Sequence, residues 1–172
     1  ARVGVGGTAT IGGTVTSASG DPLPGHRVVL LRRGPKRWRQ VGRAITDSAG
    51  HVSIATPPIT ATSRFRLRTD HRVASAGWRV VEVPTLTASA DRSDGTVMVS
   101  ATAQGARTGD RVVLLRRTAD GLVRLRHRRL DASGSVTFNV LARAVRTTYV
   151  VKLSATRRHA AATTSVSVPG AG

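Results

Sequence analysis

The heptapeptide RVVLLRR occupies residues 27–33 and again residues 111–117 of this 172-residue chain. Successive side chains of an extended strand point to opposite faces. Val28 and Leu30 therefore share one face while Val29 and Leu31 share the other, and the same division holds for Val112 and Leu114 against Val113 and Leu115. A short run rich in β-branched and aliphatic residues, bounded by turn-forming residues, reads as a strand. Its recurrence is either a charged functional segment used twice or one element of a duplicated fold.

Sliding the chain against itself by the 84 residues that separate Arg27 from Arg111 decides between these. Gly25 falls on Gly109, Val41 on Leu125, Asp47 on Asp131, Gly50 on Gly134, Ile54 on Phe138, Phe65 on Tyr149 and Leu67 on Val151, without a gap. Upstream, TIGGTVTSASGDPLPG (10–25) matches TVMVSATAQGARTG (96–109) once two residues are dropped from the turn, and VVEVP (80–84) matches SVSVP (165–169) after one insertion. The repeat thus covers nearly the whole chain, and its unit is a domain rather than a short solenoid repeat. We expect one domain over residues 1–84 and a second over 85–172, each large enough to bury a core.

Within each copy, short segments rich in Val, Thr and Ile alternate with Gly, Pro, Asp and Ser at the 8 to 12 residue spacing of antiparallel sandwiches. No stretch carries helical periodicity. Asp47 and Asp131 can open type I turns that close on Gly50 and Gly134, Asp94-Gly95 and Asp120-Gly121 are hairpin signals, and the prolines of GDPLPG (20–25) keep that stretch out of a central strand. GVGG (4–7) reads as a lead-in to the first strand.

The opening GGTVTSASGDPLPGHRVVLLRR, then Trp38, then TDSAGHVSI, TSRFRLR and VVEV resembles the immunoglobulin-like repeats of actinobacterial extracellular proteins. The second copy keeps GDRVVLLRR, LDASGSVTF and TTYVVKL but has Leu122 where Trp38 would fall. The resemblance implies an all-β chain of two tandem immunoglobulin-like antiparallel sandwiches of about seven strands each, in an extracellular or cell-surface setting. It implies little about function, since one sandwich architecture hosts many.

Composition and spacing argue against catalysis. Without cysteine there is no disulfide, thiolate metal site or thiol nucleophile. His26, His51, His71, His127 and His159 are scattered, with no HxxxH or HExxH pairing, and Glu82 is the only glutamate. No GxSxG surrounds any serine, and GVGG lacks the lysine of a phosphate loop. Asp47 and Asp131 offer one carboxylate per turn where a calcium loop needs several. We therefore expect no enzyme activity, no cofactor and no metal. Nor does any run approach the 18 to 20 apolar residues of a membrane helix. Trp38 and Trp78 could form sugar platforms, but in a chain with 3% aromatics they read rather as plugs for a core or interface.

The unusual feature is the charge. The formal net charge is +18, and of 27 basic residues only Lys36 and Lys152 are lysines. Arg64, Arg66 and Arg68 alternate with Phe65 and Leu67, and RLRHRR (124–129) sets Arg124, Arg126 and Arg128 at the same spacing, which predicts a row of guanidinium groups on one face of each strand. Two residues span about 6.6 Å of strand, close to the repeat of an extended phosphate backbone, so these six arginines are candidate contacts to an anionic polymer such as nucleic acid or teichoic acid. Sequence-specific nucleic-acid reading is not expected, because no recognition helix or aromatic RNA-binding motif is present. The other reading is that solvated arginine keeps strand edges soluble. The second apolar face of RVVLLRR makes Val29, Leu31, Val113 and Leu115 candidate protein contacts, with another domain, a second copy or a partner protein as cover. The expectation is a non-enzymatic exported or surface protein acting as spacer, adhesion or assembly unit, with anionic contacts through its arginines. The alternatives are an accessory module of a larger secreted enzyme and a dedicated polyanion binder.

Overall fold

The structure, a computed structural model, describes residues 1–70 and 73–170, so His71 lies outside the described residues. The chain divides into two compact units, Ala1–Glu82 and Val83–Gly172. Among the described residues every regular element is a β-strand, and there is no helix long and apolar enough to cross a membrane.

In unit 1 the strands are β1 (Arg2–Gly4), β2 (Thr10–Thr14), β3 (Arg27–Arg33), β4 (Trp38–Ile45), β5 (His51–Ala55), β6 (Ser63–Thr69) and β7 (Trp78–Val83). They form a five-stranded sheet in the order β1-β7-β6-β3-β4 and a two-stranded sheet β2-β5. Unit 2 contains β8 (Thr85–Ser93), β9 (Thr96–Gln104), β10 (Arg111–Thr118), β11 (Gly121–Arg129), β12 (Ser135–Leu141), β13 (Thr147–Leu153) and β14 (Ala162–Val168), in sheets β11-β10-β13-β14 and β12-β9-β8. Each unit is an immunoglobulin-like sandwich: β3 and β10 lie between their hairpin partner and a strand from two elements further on, while the intervening β5 and β12 cross to the opposite sheet. RVVLLRR is an inner strand of the larger sheet in both units, next to the edge strand of its hairpin.

The inner faces make two separate cores. Val28, Leu30, Ile54, Ile59, Phe65 and Val80 anchor that of unit 1, and Val112, Leu114, Phe138, Tyr149, Val151 and Leu153 that of unit 2. Phe65 and Tyr149, one repeat apart, are both almost wholly buried, and each such side chain contributes about 2 to 3 kcal/mol of burial.

The repeat extends to single hydrogen bonds. Asp47 Oδ1 accepts from the backbone N–H of Ala49 (2.9 Å) and His51 (2.8 Å), and Asp131 Oδ1 accepts from those of Ser133 and Ser135 (both 2.9 Å). The Gly50 N–H donates to the Asp47 carbonyl at 3.0 Å, and Gly134 does the same to Asp131 at 3.1 Å. Both glycines take positive φ, 73° and 76°, a conformation that a side chain disfavours. These carboxylates are therefore occupied in holding turns. Asp94 and Gly95, with φ of 45° and 72°, close the β8–β9 hairpin as a primed turn requires.

GVGG follows the first strand instead of leading into it: Gly6 donates to the Ile59 carbonyl (3.0 Å) and Ile59 donates to that of Gly7 (2.9 Å), so this turn pins the loop that carries Ile59. The hairpins β3–β4 and β10–β11 each also contain a β-bulge, leaving Val41 and Leu125 unpaired opposite the Leu30/Leu31 and Leu114/Leu115 steps. Both bulged residues pack against their cores.

Candidate polyanion-binding face

Directly paired residues of neighbouring strands share a face, so register maps the outer surface of unit 1. Val29 pairs with Arg43 and Arg68, Leu31 with Gln40 and Arg66, Arg33 with Trp38, Arg27 with Ile45, and Arg64 with Arg79. Arg64, Arg66 and Arg68 thus lie in one row on β6, and Arg27, Arg33, Arg43 and Arg79 join them from β3, β4 and β7. No acidic residue is among the paired positions of this face. With strands about 4.8 Å apart and alternate residues about 6.6 Å apart along each strand, the face is a two-dimensional field of seven guanidinium groups. Among the described residues the one acid–base contact within ion-pair distance joins His159 to Asp110, and none involves any of the seven.

The same register explains the second apolar face of RVVLLRR. Val29 and Leu31 are only 7% and 3% exposed, flanked on both sides by long side chains whose methylene stems lie along apolar surface while their heads reach water. Arg66 stacks over Trp38, its Cζ 4.4 Å from the ring centroid, and Arg33 lies 5.7 Å from the same ring. The Nε of Arg66 is buried and has no hydrogen-bond partner; the ring face supplies its electrostatic compensation, an interaction of about 1 to 2 kcal/mol in a partly desolvated setting. The expectation that Val29 and Leu31 present a contact surface to a partner is therefore corrected: their own sheet covers them. Trp38 belongs to this arginine surface, whereas Trp78 pairs with Phe65 on the inner face and packs against the core.

In unit 2 the bulge overturns the expected row. Arg128 pairs with Val112 and Arg126 with Leu114, on the inner side of the edge strand, whereas Arg124 pairs with Leu115 on the outer side. The extra residue, Leu125, shifts the alternation by one, so Arg124 parts company with Arg126 and Arg128 and joins His127 and Arg129. An Arg124 Nη2 to His127 Nδ1 hydrogen bond of 2.9 Å fits this shared face; arginine can only donate, so Nδ1 is the acceptor in it. The outer face of unit 2 carries Arg111, Arg117, Arg124, Arg129 and Lys152, with Val113 and Leu115 half-buried among them.

One buried site has no sequence signature. His159 makes a hydrogen bond at each ring nitrogen, Nε2 to Asp110 Oδ2 at 2.9 Å and Nδ1 to the Ala160 carbonyl at 2.8 Å. Both partners are acceptors, so a ring nitrogen engages either of them only as a donor. Burial pushes the Asp110 carboxyl up, but the Arg107 N–H, the His159 hydrogen bond and the charges of His159 and Arg107 outweigh it and hold the carboxyl below the usual range. The pair ties the β13–β14 loop to the turn before β10. Among the described residues, no group of three His, Asp or Glu side chains converges as metal ligands.

No protein-family model matches the chain, and no curated protein matches it. Among solved structures it is similar to a tetra-tandem repeat from the extending region of a large adhesion protein, with 18% identity and a TM-score of 0.46. That match covers 96% of this chain and 46% of the other, so the chain spans under half the length of that structure. The chicken interferon gamma receptor alpha chain matches with 9% identity and a TM-score of 0.45 over 83% of this chain and 84% of that one. The fibronectin(III)-like modules of Clostridium thermocellum CbhA match with 16% identity and a TM-score of 0.37 over 98% and 88%. At these scores none of the likenesses carries an argument about binding or activity.

Proposed function

We propose that this protein is a non-enzymatic, extracellular binding module that holds anionic polymers against the outer face of unit 1. The observation that carries this reading is the convergence of Arg27, Arg33, Arg43, Arg64, Arg66, Arg68 and Arg79 on one sheet face with no acid among its paired positions. Like charges directly opposite one another, as at Arg64 and Arg79, work against the sheet. A solubilising surface needs no such concentration on one face, whereas a polyanion relieves the repulsion and gains entropy by releasing counterions. Arginine suits this task because its flat head can meet phosphate or sulfate oxygens with two parallel hydrogen bonds. Arg111, Arg117, Arg124, Arg129 and Lys152 make a second, sparser cationic surface on unit 2; Arg126 and Arg128 face the inner side of their edge strand and are not part of it.

A second reading concerns assembly. Val113 and Leu115 are half-buried, and Leu122 on the same face is 49% exposed. Unit 2 thus lacks the Trp38 cover of unit 1 and leaves apolar surface for another protein or a second copy.

The test is binding of the full chain to duplex DNA, teichoic acid and a neutral polysaccharide across about 50 to 500 mM salt. Engaging four to six phosphates of the duplex gives a log-log slope of about −4 to −5. Changing the exposed Arg27, Arg43, Arg64 and Arg79 together to Gln should flatten that slope by roughly 3 to 4. An unchanged slope in the fourfold variant, or attraction shared by both polyanions and gone by about 150 mM salt, would sink the reading.

A further inference from the structure

The two units differ sharply at one end of the sandwich. In unit 1 the loop after β5 turns Ile59 inward, where it is fully buried in the core, and the backbone of Gly6 and Gly7 clips the loop in place. One repeat later stands Arg143, which is exposed. A second exchange follows the same pattern. Gly42 in unit 1 has no room for a side chain, since a Cβ there would approach Ile54 Cγ2 to 2.7 Å, yet its counterpart on β11 is Arg126. The plug and the tight approach that seal unit 1 are both absent from unit 2, and a groove of about 580 Å³ opens between β11 and the loop after β12.

The chemistry of this groove is two-sided. Arg116, Arg126 and Arg143 line it together with Val140, Val145 and Tyr149. Among the described residues no acid lines it, and none of the three guanidinium groups is neutralised by an ion pair. Leu141 and Val145 on its rim are 83% and 65% exposed. Its loop is nonetheless held in place: Ala142 donates to the Gly95 carbonyl at 2.8 Å, and Arg92 Nη1 reaches the carbonyls of Pro169 (3.0 Å) and Arg143 (3.4 Å). A pre-formed cleft within the size range of small-molecule sites, with apolar walls and a few charged groups of one sign, selects a ligand with the complementary division.

We propose that this groove binds a small anionic amphiphile, a free carboxylate with an unbranched apolar tail. The tail would lie over Tyr149 between Val140 and Val145, in the space that Ile59 fills in unit 1, and the carboxylate would take hydrogen bonds from Arg126 and Arg143. A neutral molecule of the same shape would leave the guanidinium groups unanswered, and a polyanion would leave the apolar walls in water.

Decanoate is the probe, titrated calorimetrically into the full-length chain. One saturable site per chain with Kd below about 1 mM is expected, with decanol at least about tenfold weaker. Arg143→Ile rebuilds the unit 1 plug and should weaken decanoate by more than about tenfold, and Arg126→Gln should weaken it by about tenfold. The fourfold arginine variant of unit 1 should bind decanoate unchanged, which keeps this site distinct from the polyanion face. Absence of saturable binding to the unmodified chain, equal affinity for decanol, or undiminished binding by Arg126→Gln would each overturn the proposal. Should Arg143→Ile fail to fold, Val145→Glu serves in its place by setting a negative charge on the wall, and unaltered binding in that variant would overturn the proposal equally.

Discussion

Leu31 and Leu115 stand at the same position of the repeat, on the same strand and the same outer face, and differ in what surrounds them. Leu31 lies in the arginine surface that includes the Trp38–Arg66 stack and is 3% exposed, whereas Leu115 is half-buried beside Arg124. Truncating a sealed leucine to alanine removes about 2 to 5 kcal/mol, the transfer of the lost methyl groups plus the cavity they leave. Leu31→Ala should therefore cost unit 1 about 3 kcal/mol. At a half-buried site the transfer contribution roughly halves and solvent fills the gap, so Leu115→Ala should cost unit 2 about 1 kcal/mol. Both tryptophans lie in unit 1, so tryptophan fluorescence during urea unfolding follows unit 1, and Tyr149 emission follows unit 2 in a background with Trp38 and Trp78 replaced by Phe. With a urea slope near 1 kcal/mol per molar for domains of this size, the unit 1 midpoint should fall by roughly 3 M for Leu31→Ala and the unit 2 midpoint by roughly 1 M for Leu115→Ala. Equal shifts, or a shift under about 0.5 M for Leu31→Ala, would refute the view that the arginine surface seals the second apolar face.

Two further outcomes follow from local geometry. Gly42→Ala places a Cβ 2.7 Å from Ile54 Cγ2 and should destabilise unit 1 by about 1 to 3 kcal/mol through overpacking, while Arg126→Ala at the matching position should change unit 2 by less than about 0.5 kcal/mol; paired urea midpoints check both. Asp110 has a folded pKa below its unfolded value, so its stabilisation is fully present above the ordinary aspartate pKa near 3.9 and is lost as pH falls through the folded value. Midpoints taken between about pH 5 and pH 2 should show unit 2 weakening on that acid limb, and Asp110→Asn should flatten it in part, because the lowered Asp131 carboxyl contributes to the same limb.

The architecture was legible because it is written in short-range rules repeated twice. Alternation in RFRLRT, the aspartate that opens each turn and the Asp94-Gly95 hairpin all depend on neighbours a few residues away, and with the recurrence of these signals at an offset of 84 residues they specify two sandwiches. The arginine row of β6 was legible for the same reason. What the sequence could not determine were the relations set by partners far along the chain. Arg27, Arg33, Arg43 and Arg79 join that row only because β3, β4 and β7 lie beside β6, and Val29 and Leu31 are sealed only because those neighbours carry long side chains. The bulge at Leu125 turns Arg124 away from Arg126 and Arg128 because pairing with β10, across the hairpin, places one extra residue there. Ile59 closes one unit and Arg143 leaves the other open through packing against an opposite sheet, and the His159–Asp110 pair joins two loops distant in sequence. Strand alternation is a property of the backbone and can be read locally. Which faces are covered, and by what, is decided by strand order and sheet closure, and those exist only once the chain has folded.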